Sequence, residues 1–277
     1  MADRPRNRLG ALSVGATRGI AGRLYGDYFL PSRLREYELL LSLALSAGYE
    51  TLPLGEFAAR EATSDRILLL RHDIDSDLAT ARRMWAIEQR LGVRGTWFFR
   101  LSTWDDALVA ALAAGGSEVG YHYEELATLT LRRGARSRET ALALVEQARD
   151  LLRLNTAALR RRCGLPLTTF ASHGDFANRL TGVRNTVLLE DAGLRAALGV
   201  RLEAYDHELT SRFDARSSDR GYPRLWVPAD PAEALRAGLG VIEILVHTRP
   251  WGAAPLTNAR LDLARLRDEA LLRLRSR

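Results

Sequence analysis

The 277-residue chain contains no lysine and a single cysteine. One cysteine excludes a disulfide framework and favours a reducing compartment, and Cys163 lacks the second cysteine of a redox or metal motif. The forty positive side chains are all arginines, which is typical of a coding bias toward arginine rather than of a surface built to bind phosphates. We therefore expect Cys163 to be an incidental thiol.

Long apolar stretches are also absent. No segment approaches the roughly 20 consecutive apolar residues that a transmembrane helix needs, and the early segment LGALSVGAT lacks the sustained apolar core of a signal peptide. The sequence therefore predicts a cytoplasmic protein without a transmembrane segment. With 47% hydrophobic residues, the chain can bury a full core, and we expect one large domain.

The net charge of +6 is concentrated at the two ends. Residues 1–25 contribute five arginines and one aspartate, and residues 260–277 contribute six arginines and three acids. The rest of the chain has no excess of positive charge and no nucleic-acid-binding signature, which argues against a nucleic-acid partner. We predict a basic N-terminal arm over residues 1–30 and one domain over residues 31–277; the sequence leaves the oligomeric state open.

Short apolar runs alternate with segments of helical periodicity. This alternation predicts an α/β fold in which helices cover a mainly parallel sheet, and residues 32–60 predict an N-terminal helical addition. The predicted strands are RILLL (66–70), GTWFF (95–99), EVGYH (118–122), TTFAS (168–172), LRAALGV (194–200), RLWVP (224–228) and VIEILVH (241–247). The predicted helices between them cover residues 77–92, 105–116, 137–155 and 230–240.

Four of the five histidines follow or end a predicted strand, where β/α proteins place their functional groups. They are His72, His122, His173 and His247. The fifth, His207, lies beyond a strand, and we expect it at the surface. Such a convergence of imidazoles on one rim predicts a divalent metal site, most simply for Zn²⁺, with Co²⁺, Ni²⁺, Mn²⁺ and Fe²⁺ as alternatives in a more open geometry.

An Asp-x-Asp pair accompanies the first of these histidines. Residues two apart on a strand face the same side, so Asp73 and Asp75 can both point at the rim while Ile74 packs the other way. One carboxylate can bind a metal ion while the other accepts a proton from water that the ion activates. The pair therefore predicts a ligand and a base that are adjacent but separable.

These motifs together carry a resemblance. In this order, LLLRHDID, GTWFF, EVGYHYE, ASHGD and ILVHTRPW resemble the polysaccharide deacetylase superfamily (NodB homology, carbohydrate esterase family 4), in its branch with RHDVD, HYE and SHG motifs. The resemblance spans roughly residues 30–255. It implies a distorted, TIM-like (β/α)7-type barrel and a metal-dependent hydrolase that removes an N-acetyl or related acyl amide group from a carbohydrate or glycoconjugate.

The resemblance also implies roles for single residues. Asp73 takes the place of the catalytic base, Asp75 that of the metal-ligating aspartate, and His247 that of the general acid. His122 matches the first histidine of the family's metal motif. Leu126 stands where the second histidine is expected, so the third ligand must come from elsewhere.

We take His173 as that third ligand and keep Glu124 as the alternative. ASHGD also replaces the family's arginine-containing segment, which orients the base, so Arg71 is the candidate substitute. Trp251 would form an apolar wall behind the general acid. The residues expected to contact substrate are Arg71, Tyr123, Glu124 and Trp251.

The expected products are a free amino sugar and acetate. The lack of an export signal favours a small nucleotide-sugar, lipid-linked or glycoside intermediate over mature wall polymer. The missing second histidine and the missing arginine leave one alternative open, namely a catalytically silent protein of the same fold that binds a saccharide or a protein partner. Metal content distinguishes the two, because a binding module needs no stoichiometric ion.

Overall fold

A computed structural model describes residues 21–61 and 66–274. Most of the predicted basic arm, residues 1–20, lies outside the described residues. Its end, residues 21–28, is a helix (α1). The Tyr28 hydroxyl donates a hydrogen bond to Asp262 at 2.7 Å, and Arg249 donates to Asp27 at 2.8 Å. The last part of the predicted arm is therefore packed against the C-terminal part of the domain.

Nine strands of the described residues form one curled sheet. They are β1 (Glu50–Thr51), β2 (Ile67–Ile74), β3 (Thr96–Phe99), β4 (Glu118–Tyr123), β5 (Thr169–Ser172), β6 (Leu202–Glu203), β7 (Ala215–Asp219), β8 (Trp226–Val227) and β9 (Val241–His247). Their order is β6-β5-β4-β3-β2-β9-β7-β8, with β1 beside the first residues of β2. Only the β7–β8 pairing is antiparallel. In this part of the chain β6 and β8 do not pair, so the sheet is an open half-barrel.

Helices connect most of the strands, and most of the helices pack on the outer face of the curled sheet. They are α2 (Leu34–Ser46), α3 (Leu54–Ala58), α4 (Leu78–Leu91), α5 (Asp106–Ala114), α6 (Glu125–Arg133), α7 (Arg138–Leu142), α8 (Val145–Cys163), α9 (Phe176–Thr181), α10 (Ala192–Leu198), α11 (His207–Thr210), α12 (Pro231–Ala237) and α13 (Pro255–Leu274). Short 3₁₀ turns cover Leu101–Thr103 and Asn185–Leu188. Over the described ranges, no helix combines the length and the apolar content that crossing a bilayer requires.

The coarse prediction of a barrel-like α/β fold is confirmed. The five predicted strands that carry the motifs are present as the parallel neighbours β5, β4, β3, β2 and β9. The predicted helices at 77–92, 105–116 and 230–240 are also present, and the one at 137–155 is two helices, α7 and α8. Because the five strands run in the same direction, their carboxyl ends meet at one rim.

The predicted sheet is wrong at residues 194–200, and it lacks three observed strands, β1, β6 and β7. Residues 194–200 belong mainly to α10, whose start is capped by Asp191 accepting from the Leu194 N–H at 2.7 Å. The alternation of Leu and Ala there fits a helical face as well as a strand. The strand β7 was not predicted, because its sequence ARSSD has no apolar run. It pairs with β9 inside the sheet and brings Asp219 to the rim.

Successive side chains of β2 point alternately into two different hydrophobic clusters. Ile67 and Leu69 pack inside the curl of the sheet, whereas Leu68, Leu70 and Ile74 pack against the outer layer of helices. The inner face of β2 therefore continues toward the rim through residues 71 and 73, and the outer face through residue 72. This alternation decides which side chains of the RHDID motif can reach a common site.

Candidate metal centre

Asp75, His122 and His173 converge at the rim. The His122 Nε2 atom lies 3.3 Å from Asp75 Oδ1, and the His173 Nε2 atom lies 3.4 Å from the same oxygen. One donor atom from each residue falls within 4.8 Å of the other two. These residues follow or end β2, β4 and β5, so the parallel register brings together positions that are far apart in the chain.

The chemistry of these three side chains fits a divalent cation. The His122 ring lies with Nδ1 3.0 Å from the Ala171 carbonyl oxygen, which can only accept, so Nδ1 carries the proton and the lone pair is on Nε2. Asp75 Oδ1 is buried and has no hydrogen-bond partner among the described residues. Burial opposes the charge of this carboxylate, but His173 and His122 outweigh it and hold the pKa of Asp75 well below its usual range.

Glu124 supports His173 instead of replacing it. Arg100 donates to Glu124 Oε1 at 3.0 Å and to Oε2 at 2.6 Å, and Glu124 Oε2 lies 3.1 Å from His173 Nδ1. Although burial opposes its charge, His173 and Arg100 lower the pKa of Glu124 to about 2. The carboxylate is therefore ionised and engaged on two sides. Of the two candidate third ligands, His173 is the one that faces Asp75.

Asp73 is held in place by Arg71. The Arg71 Nε donates to Asp73 Oδ1 at 2.9 Å, and Nη2 donates to Oδ2 at 2.8 Å. Asp73 Oδ2 lies 3.6 Å from His122 Nε2, at the edge of the proposed metal cluster. Burial tends to raise the pKa of Asp73, but Arg71 and His122 outweigh it and lower that pKa, so this carboxylate is ionised at neutral pH. Arg71 reaches Asp73 because both side chains lie on the inner face of β2.

Arg71 is itself fixed by groups that sequence reasoning missed. Its Nη2 donates to the Tyr205 hydroxyl at 3.1 Å, and its guanidinium lies over the Tyr205 ring at 4.6 Å. Glu243, fully buried on β9, lies 3.9 Å from Arg71 Nη1 and also contacts Arg216. An acid inside the apolar run VIEILVH is the signal that could have pointed to Glu243.

His247 pairs with Asp219 on the neighbouring strand. The His247 Nδ1 and Asp219 Oδ1 atoms are 2.6 Å apart, and the other Asp219 oxygen accepts the His247 N–H and the Trp251 indole N–H, both at 2.8 Å. Burial opposes the imidazolium, but Asp219 outweighs it and raises the pKa of His247 to about 10. His247 also stands directly beside Asp73 in the β2–β9 register. It therefore carries a proton at neutral pH on the same rim.

The prediction that His72 joins the other three histidines is wrong. His72 lies on the outer face of β2, where its ring stacks on Trp97 with centroids 3.7 Å apart. Its Nε2 lies 2.9 Å from Glu88 and 3.0 Å from the Tyr37 hydroxyl. The period of two turns this side chain away from its neighbours in the motif. His207 is exposed, as predicted.

Three of the four residues expected to contact substrate have no surface that a substrate can reach. Tyr123 is fully buried, because it alternates with His122 and faces the outer core, with its hydroxyl 3.4 Å from Glu203. Trp251 is 1% exposed and Arg71 is 0% exposed. Their contacts are with Asp219 and Asp73, so both lie behind the site. The fourth residue, Glu124, is also largely buried.

A cleft of about 680 Å³ opens over this rim. Its walls combine the proposed centre with basic and acidic groups from the C-terminal part of the chain. Among the lining residues are Asp75, Arg100, His173, Asp219, His247 and Arg249. A volume of this size accommodates a small organic ligand. The cleft therefore gives a small molecule access to Asp75 and His173, two of the three converging side chains.

Comparisons with protein families, with curated proteins and with solved structures found no match in any of the three. The functional interpretation therefore depends on the chemistry of the rim. That rim offers three donor atoms suited to one cation, a clamped carboxylate and a histidine with its own acid. This combination can bind a divalent ion, accept one proton and deliver another.

Proposed function

We propose that this protein is a metal-dependent hydrolase that removes an N-acetyl or related acyl amide group from a carbohydrate or glycoconjugate intermediate, with a fold of the polysaccharide deacetylase kind. The observation that carries the proposal is the division of labour within one motif. Asp75 faces two histidines, whereas Asp73, two residues earlier, is clamped by Arg71. The two acids thus share His122 as a neighbour but differ in their other contacts, which are Arg71 for Asp73 and His173 for Asp75.

Asp75, His122 and His173 would hold the ion, and their one oxygen and two nitrogen donors suit Zn²⁺. When bound, such an ion supplies a Lewis acid for the substrate carbonyl and makes water more acidic. Arg100 and Glu124 keep the His173 ring oriented toward Asp75. The Ala171 carbonyl does the same for His122.

Asp73 is the group that accepts the proton of the attacking water, because it is ionised and lies beside the cluster. Arg71 holds its two oxygens in place. His247 donates a proton to the departing nitrogen when the C–N bond breaks, and Asp219 keeps its Nδ1 engaged so that Nε2 is the nitrogen free to donate. One water is consumed, and the products are an amine and a carboxylate.

The test exchanges each acid of the pair for its neutral isostere. Asp73→Asn should retain its metal and lose about 10²-fold or more of the hydrolytic rate, because the substitution removes the general base and leaves the three metal ligands in place. Asp75→Asn should first lose metal affinity, and excess metal should restore part of its rate. The measurements are metal content and acetate release from N-acetylated sugars across a metal titration. His207→Ala, at the exposed histidine, serves as the control.

Rescue of Asp73→Asn by excess metal would show that the two roles are reversed. Hydrolysis that is unaffected by either substitution would exclude this site as the catalytic centre. A purified protein that binds sugars but has neither stoichiometric metal nor acetate release would favour the alternative, a silent protein of this fold.

A further inference from the structure

A second cavity of about 530 Å³ adjoins the proposed metal centre. The two openings share the segment His173–Gly174–Asp175 and Arg179. A ligand group that occupies the second cavity would therefore lie next to a proposed metal ligand. The remaining lining includes Arg184, Asn185, Thr186 and Tyr205.

Two arginines of the second cavity are uncommitted. Arg179 on α9 and Arg184, just before the second 3₁₀ turn, are exposed, and neither has a hydrogen bond or ion pair from its side chain to any described residue. Two arginines of the first cleft, Arg100 and Arg249, differ, because they are paired with Glu124 and with Asp262. Uncommitted guanidinium groups beside a site are available to a ligand.

The acid in this cavity does not neutralise them. The Asp175 carboxylate accepts the Ala177 N–H at 2.8 Å and caps the start of α9. Asp175 also lacks an ion pair with either arginine. The local balance is therefore positive.

The segment that carries the arginines is tied to the metal centre. Asn185, which is buried, donates to the His173 carbonyl at 2.6 Å and to the Asn178 side chain at 3.2 Å. Asn178 in turn donates to the Val183 carbonyl at 2.8 Å. These bonds fix the cavity wall relative to His173, so an anion held there has a defined position relative to the reacting group.

We propose that the second cavity is an anion subsite and that the substrate carries a phosphate ester or a carboxylate beside the acylated sugar. Guanidinium groups bind such oxyanions through paired N–H donors, and two of them from separate elements can engage one phosphate. The proposal deepens the proposed function, on which it rests for the acylated sugar. It names the chemical class that distinguishes this substrate from a neutral glycan.

The test measures binding to the metal-free protein, so that no probe can bind through a metal ion. Calorimetry at one fixed salt concentration compares N-acetylglucosamine 1-phosphate, N-acetylmuramic acid and neutral N-acetylglucosamine. The wild type should bind at least one of the two charged sugars about tenfold or more tightly than the neutral sugar. The double variant Arg179→Gln/Arg184→Gln should lose this preference. Arg35→Gln/Arg161→Gln removes the same charge from exposed, unpaired arginines outside both cavities, and it should keep the preference.

Equal affinity for the charged and neutral sugars, or no detectable binding of either charged sugar, would overturn the proposal. So would an anion preference that survives the Arg179/Arg184 replacement or that disappears equally in the control. If the preference is present and specific but no variant or metal condition yields acetate, the subsite stands and the hydrolase proposal fails. Tighter binding of a nucleoside diphosphate sugar or of a short polyprenyl diphosphate sugar than of the neutral sugar would support the subsite and identify the source of the anion.

Discussion

The two faces of β2 carry polar clusters built from the same kinds of residue but with opposite character. On the outer face, His72 and Glu88 contact each other, and both side chains have 0% exposure. On the inner face, Asp75 contacts His122 and retains 32% side-chain exposure. A buried histidine beside a carboxylate is therefore not by itself a sign of function. Access from a cleft and convergence of several strands distinguish the inner cluster.

Metal binding should separate the two clusters most strongly. His122→Ala removes a donor from the proposed centre, and we expect metal affinity to fall by more than about 100-fold, because the loss of groups that merely support a ligand already costs 10 to 100-fold. Activity should fall to background. Elemental analysis after dialysis measures the metal, and thermal unfolding should show a fold that remains intact. Wild-type metal stoichiometry in this variant would contradict the assignment.

The free energy of unfolding should depend more on the outer cluster than on the inner one. His72→Ala leaves a cavity against Trp97 and deprives Glu88 and Tyr37 of a buried partner, so the free energy of unfolding should fall by about 3 kcal/mol. Urea unfolding of the metal-free protein measures this loss. At temperatures where the variant is folded, its metal affinity should equal that of the wild type. A loss of metal affinity similar to that of His122→Ala would contradict the assignment of His72 to the outer cluster.

Replacing Arg71, which holds both carboxylate oxygens of Asp73, should have a smaller effect, namely on kcat. Arg71→Lys keeps the charge but loses the two-pronged contact, so we expect kcat to fall about tenfold with little change in KM or metal content. Arg212→Lys is the matched control, because Arg212 also lies over an aromatic ring, that of Phe57 at 4.1 Å, but donates to the Ala58 and Arg60 carbonyls instead of to Asp73. Equal loss in both variants would mean that the effect comes from general destabilisation.

The remaining prediction concerns the proton on His247, and its effect depends on pH. Its pKa is raised to about 10 in the folded protein, above the value of roughly 6.5 expected for the unfolded chain. The pairing with Asp219 therefore stabilises the fold fully below about pH 6.5, and this contribution is lost as the pH rises through 10. Asp219→Asn should lower the pKa of His247, and its destabilisation relative to wild type should be largest at pH 6 and shrink toward alkaline pH.

Nuclear magnetic resonance titration of His247 in the metal-free protein measures this pKa directly. Urea unfolding at several pH values measures the linked stability. In a His247→Gln background, Asp219→Asn should lose its pH-dependent part, since the titrating partner is gone. A pH-independent effect of Asp219→Asn in the wild-type background would show that Asp219 acts only by packing and neutral hydrogen bonds.

Local pattern was enough to predict the strands that carry the motifs, because apolar runs bounded by turns encode short buried strands directly. It was also enough to predict that Asp73 and Asp75 share a face, since the period of two is a property of any strand. The same rule, applied to His72 once β2 is known to extend to Ile74, places that histidine on the opposite face. Assuming that the strand ended at residue 70 concealed this consequence.

Other features depended on which strands became neighbours. The polar segment ARSSD has no local strand signal, yet it becomes β7 because β9 offers it a parallel edge, and Asp219 reaches His247 only through that pairing. Tyr205 and Glu243 meet Arg71 across distant parts of the chain. The sequence by itself determined which residue types stand at the ends of the strands, through periodicity and turn chemistry. Only the tertiary structure decided which of them meet, because strand order and the curl of the sheet arise from packing between remote segments.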